Sequence, residues 1–304
     1  MAAFQLAEPA IADDPRLIAF SGMAGGAGKT QGVLNLGMEL AQRGYRVLIF
    51  DLDPQRNASH VLGYQDPRPG QATIFSVLTG DNKLVQAIVP ARYRIGKGDD
   101  DKAFRLIDNL SLVLGTPEMS EAEVHLGNNA HGVLWLSGVM DQLPPGQFDV
   151  VLFDCGPTLG ILLLSVAIVV PEIVGCVNDE FKYIIGLQDL ENSLAKGRTS
   201  PLSKFGFRAH MEHILATNIP LDVDGKVDRN QGAVTHDVIR TIEGREDWAP
   251  KLLPIVRRSI RFKETMVRQR VLRKHDPNNP ALQDIAAVAD ALGFPRLNST
   301  RRKR

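Results

Sequence analysis

Leu17, Ile18, Ala19 and Phe20 form an unbroken apolar run that stops at a glycine-rich stretch, Ser21–Gly28. Apolar residues then recur at helical spacing (Val33, Leu34, Leu36, Gly37, Leu40, Ala41), Gly44 closes the pattern, and a second run covers Val47–Phe50. Short apolar runs without alternation predict strands buried on both faces, and the wider spacing between them predicts a helix. A strand–loop–helix–strand unit sets its two strands parallel, because the helix must cross over the sheet. The alternation resumes at Leu110–Leu114, Val150–Phe153, Ile173–Val177 and Ile214–Ala216. The predicted fold is therefore α/β, a doubly wound and mostly parallel sheet.

Other segments break the pattern. Residues 90–104 (PARYRIGKGDDDKAF) are polar and predict a surface excursion, and 222–232 (DVDGKVDRNQG) predict a loop. Ala281–Leu292 is Ala-rich with two Asp and predicts a helix packed on the core. Residues 1–15, rich in Ala, Pro and Asp, predict a loose arm. With no internal repeat, the expectation is one domain over 16–293 followed by a basic tail over 294–304.

Composition narrows this little. The 304 residues suffice for a large buried core, and 44% apolar with 23% charged residues is ordinary for a globular chain. Lys+Arg and Asp+Glu stand at 35 each, so net charge names no partner. Two cysteines make no disulfide framework, and the N-terminus lacks a basic region followed by an apolar core. The longest apolar stretch, Ile161–Val170, is interrupted by Ser165 and stopped by Pro171, short of the about 20 residues a bilayer span needs. A cytoplasmic location is expected.

The chemistry is concentrated in three segments. Ser21-Gly22-Met23-Ala24-Gly25-Gly26-Ala27-Gly28-Lys29-Thr30 lies between a predicted strand and a predicted helix. Glycines there let backbone N–H groups turn around phosphate oxygens, and the helix N-terminus adds a favourable dipole. Lys29 would neutralise the β- and γ-phosphates, and the Thr30 hydroxyl would reach Mg²⁺. Gly25, Gly26, Ala27, Gly28 and Gln31 complete the candidate nucleotide contacts. Strict P-loop spacing places glycine at position 23, where this chain has Met23. Asp51-Leu52-Asp53-Pro54-Gln55-Arg56-Asn57 leaves the second strand at the carboxyl edge, where ligands of such sheets bind. Phe148–Asp154 is an apolar strand ending in a carboxylate, the Walker B pattern that holds Mg²⁺.

GGAGKT, DLDPQRNAS and FDVVLFDCGP, in this order, resemble the nucleotide motifs of the ParA/MinD/Soj family of deviant Walker ATPases. The likeness extends through Leu112–Thr116, Ala122–Val124, Glu180-Phe181, Gly186-Leu187 and Ile255–Thr265, covering roughly residues 16–293. It implies ATP and Mg²⁺ as cofactors, with Thr30 and Asp154 serving the metal. It also implies that Asp53 positions the attacking water near the metal, with Asp51 beside it, and that Asn218 contacts adenine. The family's signature lysine falls at Ala24, a departure shared with McdA-type positioning proteins. Three readings follow: another cation substitutes, with Lys182 the first candidate; the chain is a slow or hydrolysis-deficient switch; or Ala24 is an introduced change.

The resemblance further implies an ATP-dependent homodimer, sequence-independent DNA binding on the nucleoid, and a ParB-like stimulating partner or cargo adaptor. Charge distribution offers a DNA surface: Arg257, Arg258, Arg261, Lys263, Arg268, Arg270, Arg273 and Lys274 stand against Glu264 alone, and the chain ends in Arg301-Arg302-Lys303-Arg304. A solvated helix face is the plainer reading of that run. A membrane role would need a terminal helix with bulky apolar residues on one face, which Ala281–Leu292 lacks, so no membrane partner is expected. Cys155 and Cys176 read as small core residues rather than cluster ligands. The alternative function is a nucleotide-gated adaptor with little or no hydrolysis.

Overall fold

The computed structural model describes residues 14–23, 25–97, 101–222, 224–228 and 233–297. Ala24, the arm up to residue 13 and Arg301–Arg304 lie outside the described residues. The strands are β1 (Arg16–Ser21), β2 (Val47–Asp51), β3 (Ile88–Arg94), β4 (Phe104–Val113), β5 (Val150–Asp154), β6 (Glu172–Val177) and β7 (His210–Ala216). They form a seven-stranded sheet in the order β3-β4-β2-β5-β1-β6-β7. Every neighbouring pair among them is parallel except β3–β4. The doubly wound α/β expectation holds.

All five residues of β2 and of β5 are buried, and Phe50 stacks on Phe153 with ring centroids 4.9 Å apart. Covering these strands on both faces is why they read as continuous apolar runs. The helix Lys29–Arg43 follows β1 and ends at Gly44, whose φ of 101° is the left-handed stop that glycine adopts without strain. Because β1, β2, β5, β6 and β7 run the same way, the loops that follow them meet at one edge of the sheet.

Three boundaries differ from the sequence expectation. The excursion at 90–104 is largely a hairpin: β3 pairs antiparallel with a β4 that begins at Phe104, not Leu110. Pro90 and the arginines hid it. Proline is tolerated because β3 is an edge strand with a register shift between Pro90 and Arg92. Arg92 lies over the rings of Tyr64 and Phe104, at 4.3 and 4.2 Å.

The loop at 222–232 carries an isolated bridge between Leu221 and Val227. Residues 294–297, expected to open a tail, are docked. Phe294 is buried against Tyr45, and Leu297 donates its N–H to the Arg43 carbonyl at 2.9 Å.

The helix Ala281–Ala291 packs on helix Lys29–Arg43 around a buried ion network. Arg43, 2% exposed, pairs with Glu39 (3.0 Å) and Asp290 and donates to the carbonyls of Ala286 and Phe294. Arg273 reaches the other Glu39 oxygen at 2.7 Å. Multiple partners make such burial tolerable, since a stranded charge in this place would cost several kcal/mol, roughly 3–5. Among the described residues no helix is long and apolar enough to cross a membrane.

Candidate functional site

The loop after β1 is pinned by side chains from neighbouring elements. Asn178 Nδ2 donates to the Gly26 carbonyl (2.9 Å), the Tyr183 hydroxyl to Gly25 (2.8 Å) and Lys29 Nζ to Gly22 (3.1 Å). Gly28 opens the helix with φ 87°, and a Cβ there would lie 1.9 Å from Thr217 Oγ1, so only glycine fits. No side chain caps the helix, which leaves its first-turn N–H groups and dipole to an anion in the loop.

Beside the loop lie three carboxylates. The register of β2 on β5 sets Asp51 opposite Asp154. Asp51 Oδ2 accepts the backbone N–H (2.7 Å) and hydroxyl (2.6 Å) of Ser59, whose Oγ accepts the Gly115 N–H at 2.9 Å. Asp53 is buried and accepts the Gln55 N–H at 2.8 Å. Asp154 is fully buried, and neither of its carboxylate oxygens has a hydrogen-bond partner, nor does Asp51 Oδ1. Burial pushes Asp51 up to about 6 against the opposing pull of Ser59, with Asp53 adding repulsion. Burial and repulsion from Asp51 hold Asp154 well above the ordinary carboxylate range, despite the Thr30 hydroxyl and Lys29 ammonium nearby.

Unpartnered buried carboxyl oxygens are costly unless a cation or proton meets them. Among the described residues no three His, Cys, Asp or Glu side chains form a ready-made metal cage. Mg²⁺ takes one or two carboxylates and completes its octahedron with water and phosphate oxygens, so the two unpartnered Asp154 oxygens suit it. Asp154 and Thr30 supply the right donors.

A cavity of about 390 Å³ opens next to the loop, lined by Gly26, Gly28, Gln31, Thr217, Asn218 and Phe262 among others. Its mostly apolar walls and few polar groups suit a nucleobase. A profile of the AAA domain family matches residues 15–201. The chromosome partitioning protein ParA of Myxococcus xanthus is 30% identical over 209 residues, 65% of this chain and 68% of that protein. The chain belongs to the ParA-like family of P-loop ATPases.

Another relative is the sporulation initiation inhibitor protein Soj of Bacillus subtilis, 27% identical over 59% of this chain and 64% of its own. In fold, an ATP complex of McdA from Cyanothece superposes with a TM-score of 0.74 at 17% identity, covering 94% of this chain and 99% of that one. Within this ParA-like frame the structure brings Gly25, Gly26, Ala27, Gly28, Lys29, Thr30, Gln31, Asp51, Asp53, Asp154 and Asn218 around one edge. Asn218 sits at φ 58° and donates from Nδ2 to Asp179 Oδ1 at 3.2 Å. Lys182 begins the helix Lys182–Thr199, exposed, with Nζ 2.7 Å from Glu180 and over the ring of Tyr183.

The basic segment is a different matter. Offered by its charge as a candidate DNA surface, it is tied into the protein at several points. Arg257 grips Asp284 with two bonds (2.7 and 2.8 Å), Arg258 pairs with Asp179, and Arg261 pairs with Glu264 at 2.9 Å. Arg270 donates to the Arg94 carbonyl. Lys263 and Arg268, in the helix Arg261–Arg268, are exposed and make no ion pair with the described residues. Cys155 and Cys176 are buried; burial pushes Cys176 up to about 12 and raises Cys155 as well, the opposite of a reactive thiolate.

Sequence reasoning overlooked Asn178 and Tyr183, which pin the loop, and Ser59, which holds Asp51. Asn178 and Tyr183 act through contacts distant in sequence and belong to no motif, whereas Ser59 closes the DLDPQRNAS motif and acts on Asp51 eight residues before it. The only advance signal was that Asn178 and Tyr183 flank the Glu180-Phe181 pair already matched to the family.

Proposed function

We propose that this chain is a partition or positioning ATPase. Its single ATPase domain would run from residue 16 to the docked segment at 297 and form an ATP-dependent homodimer. The observation that carries this reading is the pair of unpartnered Asp154 oxygens, buried beside Lys29 and a loop whose carbonyls are pinned by side chains.

In this reading Gly25–Gly28 and Lys29 take the phosphate charge, and Gln31 and Asn218 border the base. Thr30 and Asp154 would hold Mg²⁺, which would supply countercharge to the phosphates when bound. Asp53, fixed through the Gln55 N–H, orients the attacking water, while Asp51 braces the site through Ser59. Phosphoryl transfer demands positioning and charge neutralisation more than covalent chemistry, and this set provides both. Lys182 is the cation offered to the other subunit in place of a lysine at position 24.

DNA binding, on the nucleoid, rests on Lys263 and Arg268, with Arg258, Arg261 and Arg270 contributing where their ion pairs open. A ParB-like partner or cargo adaptor would stimulate hydrolysis. The test is fluorescence anisotropy on DNA of unrelated sequences with ATP, ADP and no nucleotide across a salt series. ATP-dependent binding that weakens steeply with salt supports the switch; no binding in any state sinks the DNA-riding part.

The second reading, a nucleotide-gated adaptor, is favoured by the engagement of Lys182 with its own Glu180. Steady-state phosphate release separates the two. The Asp53→Ala variant should still bind ATP yet lose at least about 90% of turnover; turnover at the parent rate would remove Asp53 from the water-positioning role.

A further inference from the structure

Asn218 lines the base cavity together with Gln31, Asn178 and Thr217, and an amide side chain has two possible orientations. Its neighbour decides. Asp179, two residues beyond the end of β6, accepts from Asn218 Nδ2 through Oδ1 at 3.2 Å, and its Oδ2 pairs with Arg258. A carboxylate paired with a guanidinium presents acceptor oxygens to its other neighbours. The Asn218 amino group must therefore face Asp179, which fixes the place of its carbonyl oxygen within the amide plane. Rotating the amide would set two acceptor oxygens against each other where the 3.2 Å bond now stands. The backbone of Asn218 is left-handed, φ 58°, a conformation that asparagine tolerates better than most residues.

From this geometry we infer that Asp179 sets base selectivity, holding Asn218 as a hydrogen-bond acceptor for a purine that carries a 6-amino group. The inference rests on the nucleotide reading of the cavity. An adenine base matches a fixed amide twice, its N6 amino group donating to Oδ1 and its N7 accepting the remaining Nδ2 hydrogen. A 6-oxo purine presents an acceptor where Oδ1 also accepts, and that mismatch leaves buried groups unpaired. The ion pair to Arg258 gives Asp179 a second task, because it ties the base-side amide to the first residues of the basic segment.

The test uses the full chain, with ATP and inosine triphosphate competing against a fluorescent ADP analogue. The two probes differ at the purine 6-position and in the N1 proton that accompanies the oxo group. The parent should prefer ATP, and Asp179→Asn should cut that preference about tenfold, because an amide partner can donate and so permits the flip. In an Asn218→Ala background, Asp179→Asn should leave the ratio of the two affinities unchanged, since no amide remains to be oriented. A preference unaltered by Asp179→Asn overturns the inference. So does an equal weakening of both nucleotides, which would mark Asp179 as a structural brace. A parent that binds neither nucleotide would instead bring down the nucleotide reading itself, an outcome distinct from a parent that binds both and a variant that fails to discriminate.

Discussion

The edge loops of β1, β2 and β5 and the basic segment Arg257–Lys274 both stand out in the sequence, one by glycine spacing and the other by charge. Their fates differ. At the edge, spacing dictates backbone conformation: Gly28 must be left-handed and without a Cβ, and the strand ends bring Asp51 and Asp154 level. In the basic segment nothing about the spacing determines which way a cation turns, and carboxylates distant in sequence (Asp284, Asp179) claim Arg257 and Arg258. A motif that constrains the backbone therefore predicts geometry. A motif made of charge predicts only that countercharge must be found, inside the molecule or out.

The sharpest way to break this contrast is Lys29→Ala. If the loop is built for phosphate, loss of its buried cation should weaken ATP binding about a hundredfold, since charged hydrogen bonds are worth about 1.5–3 kcal/mol and each 1.4 is a decade. Isothermal titration calorimetry reads it directly. An affinity within threefold of the parent would mean that the glycine spacing has produced only a turn.

Protonation gives a second contrast within the edge itself. Asp51 is raised to about 6 and Asp154 is raised too, so both favour the protonated form in the fold more than in the unfolded chain. A raised carboxyl contributes its stability in full below its unfolded value near pH 4 and loses it as pH climbs through the folded value. For Asp51 that window is about pH 4 to 6. Without nucleotide, the parent should lose on the order of 3 kcal/mol relative to Asp51→Asn across it, measured by urea unfolding at a series of pH values. Mg·ATP should reverse the loss by supplying the countercharge. A gap that stays flat with pH would show that the carboxyls do not share a low-dielectric site.

Where local sequence decides local geometry, the fold was legible. Leu17–Phe20, Val47–Phe50, Val150–Phe153 and Ile173–Val177 all became strands within a residue or two, because burial on both faces leaves no other pattern. The hairpin of β3 was not legible. Its Pro90, Arg92 and Arg94 contradict a buried strand, and only an edge position with aromatic cover from Tyr64 and Phe104 resolves the contradiction. The site divided the same way. Lys29, Thr30, Asp53 and Asp154 were marked by position relative to strands, whereas Asn178, Tyr183 and Asp179 act across the sheet order and carried no mark of their own.

The finest test lies inside the basic segment, where the structure separates cations that brace from cations that face solvent. Arg257 and Asp284 are part-buried, with side chains 28% and 10% exposed, and the pair joins the segment to the helix Ala281–Ala291. Discounted for partial exposure, Arg257→Ala should cost about 1 kcal/mol of stability, much of it from the stranded Asp284. Lys263→Ala and Arg268→Ala should leave the unfolding midpoint unchanged, because neither cation pairs with a described residue. Instead each should reduce the salt dependence of DNA binding by about one unit of log K against log salt. Arg257→Ala, if it destabilises without changing that slope, confirms that this charge is spent inside the protein. Should all three variants lower the slope alike and leave stability untouched, the row of cations is a single surface and its ion pairs open when DNA arrives.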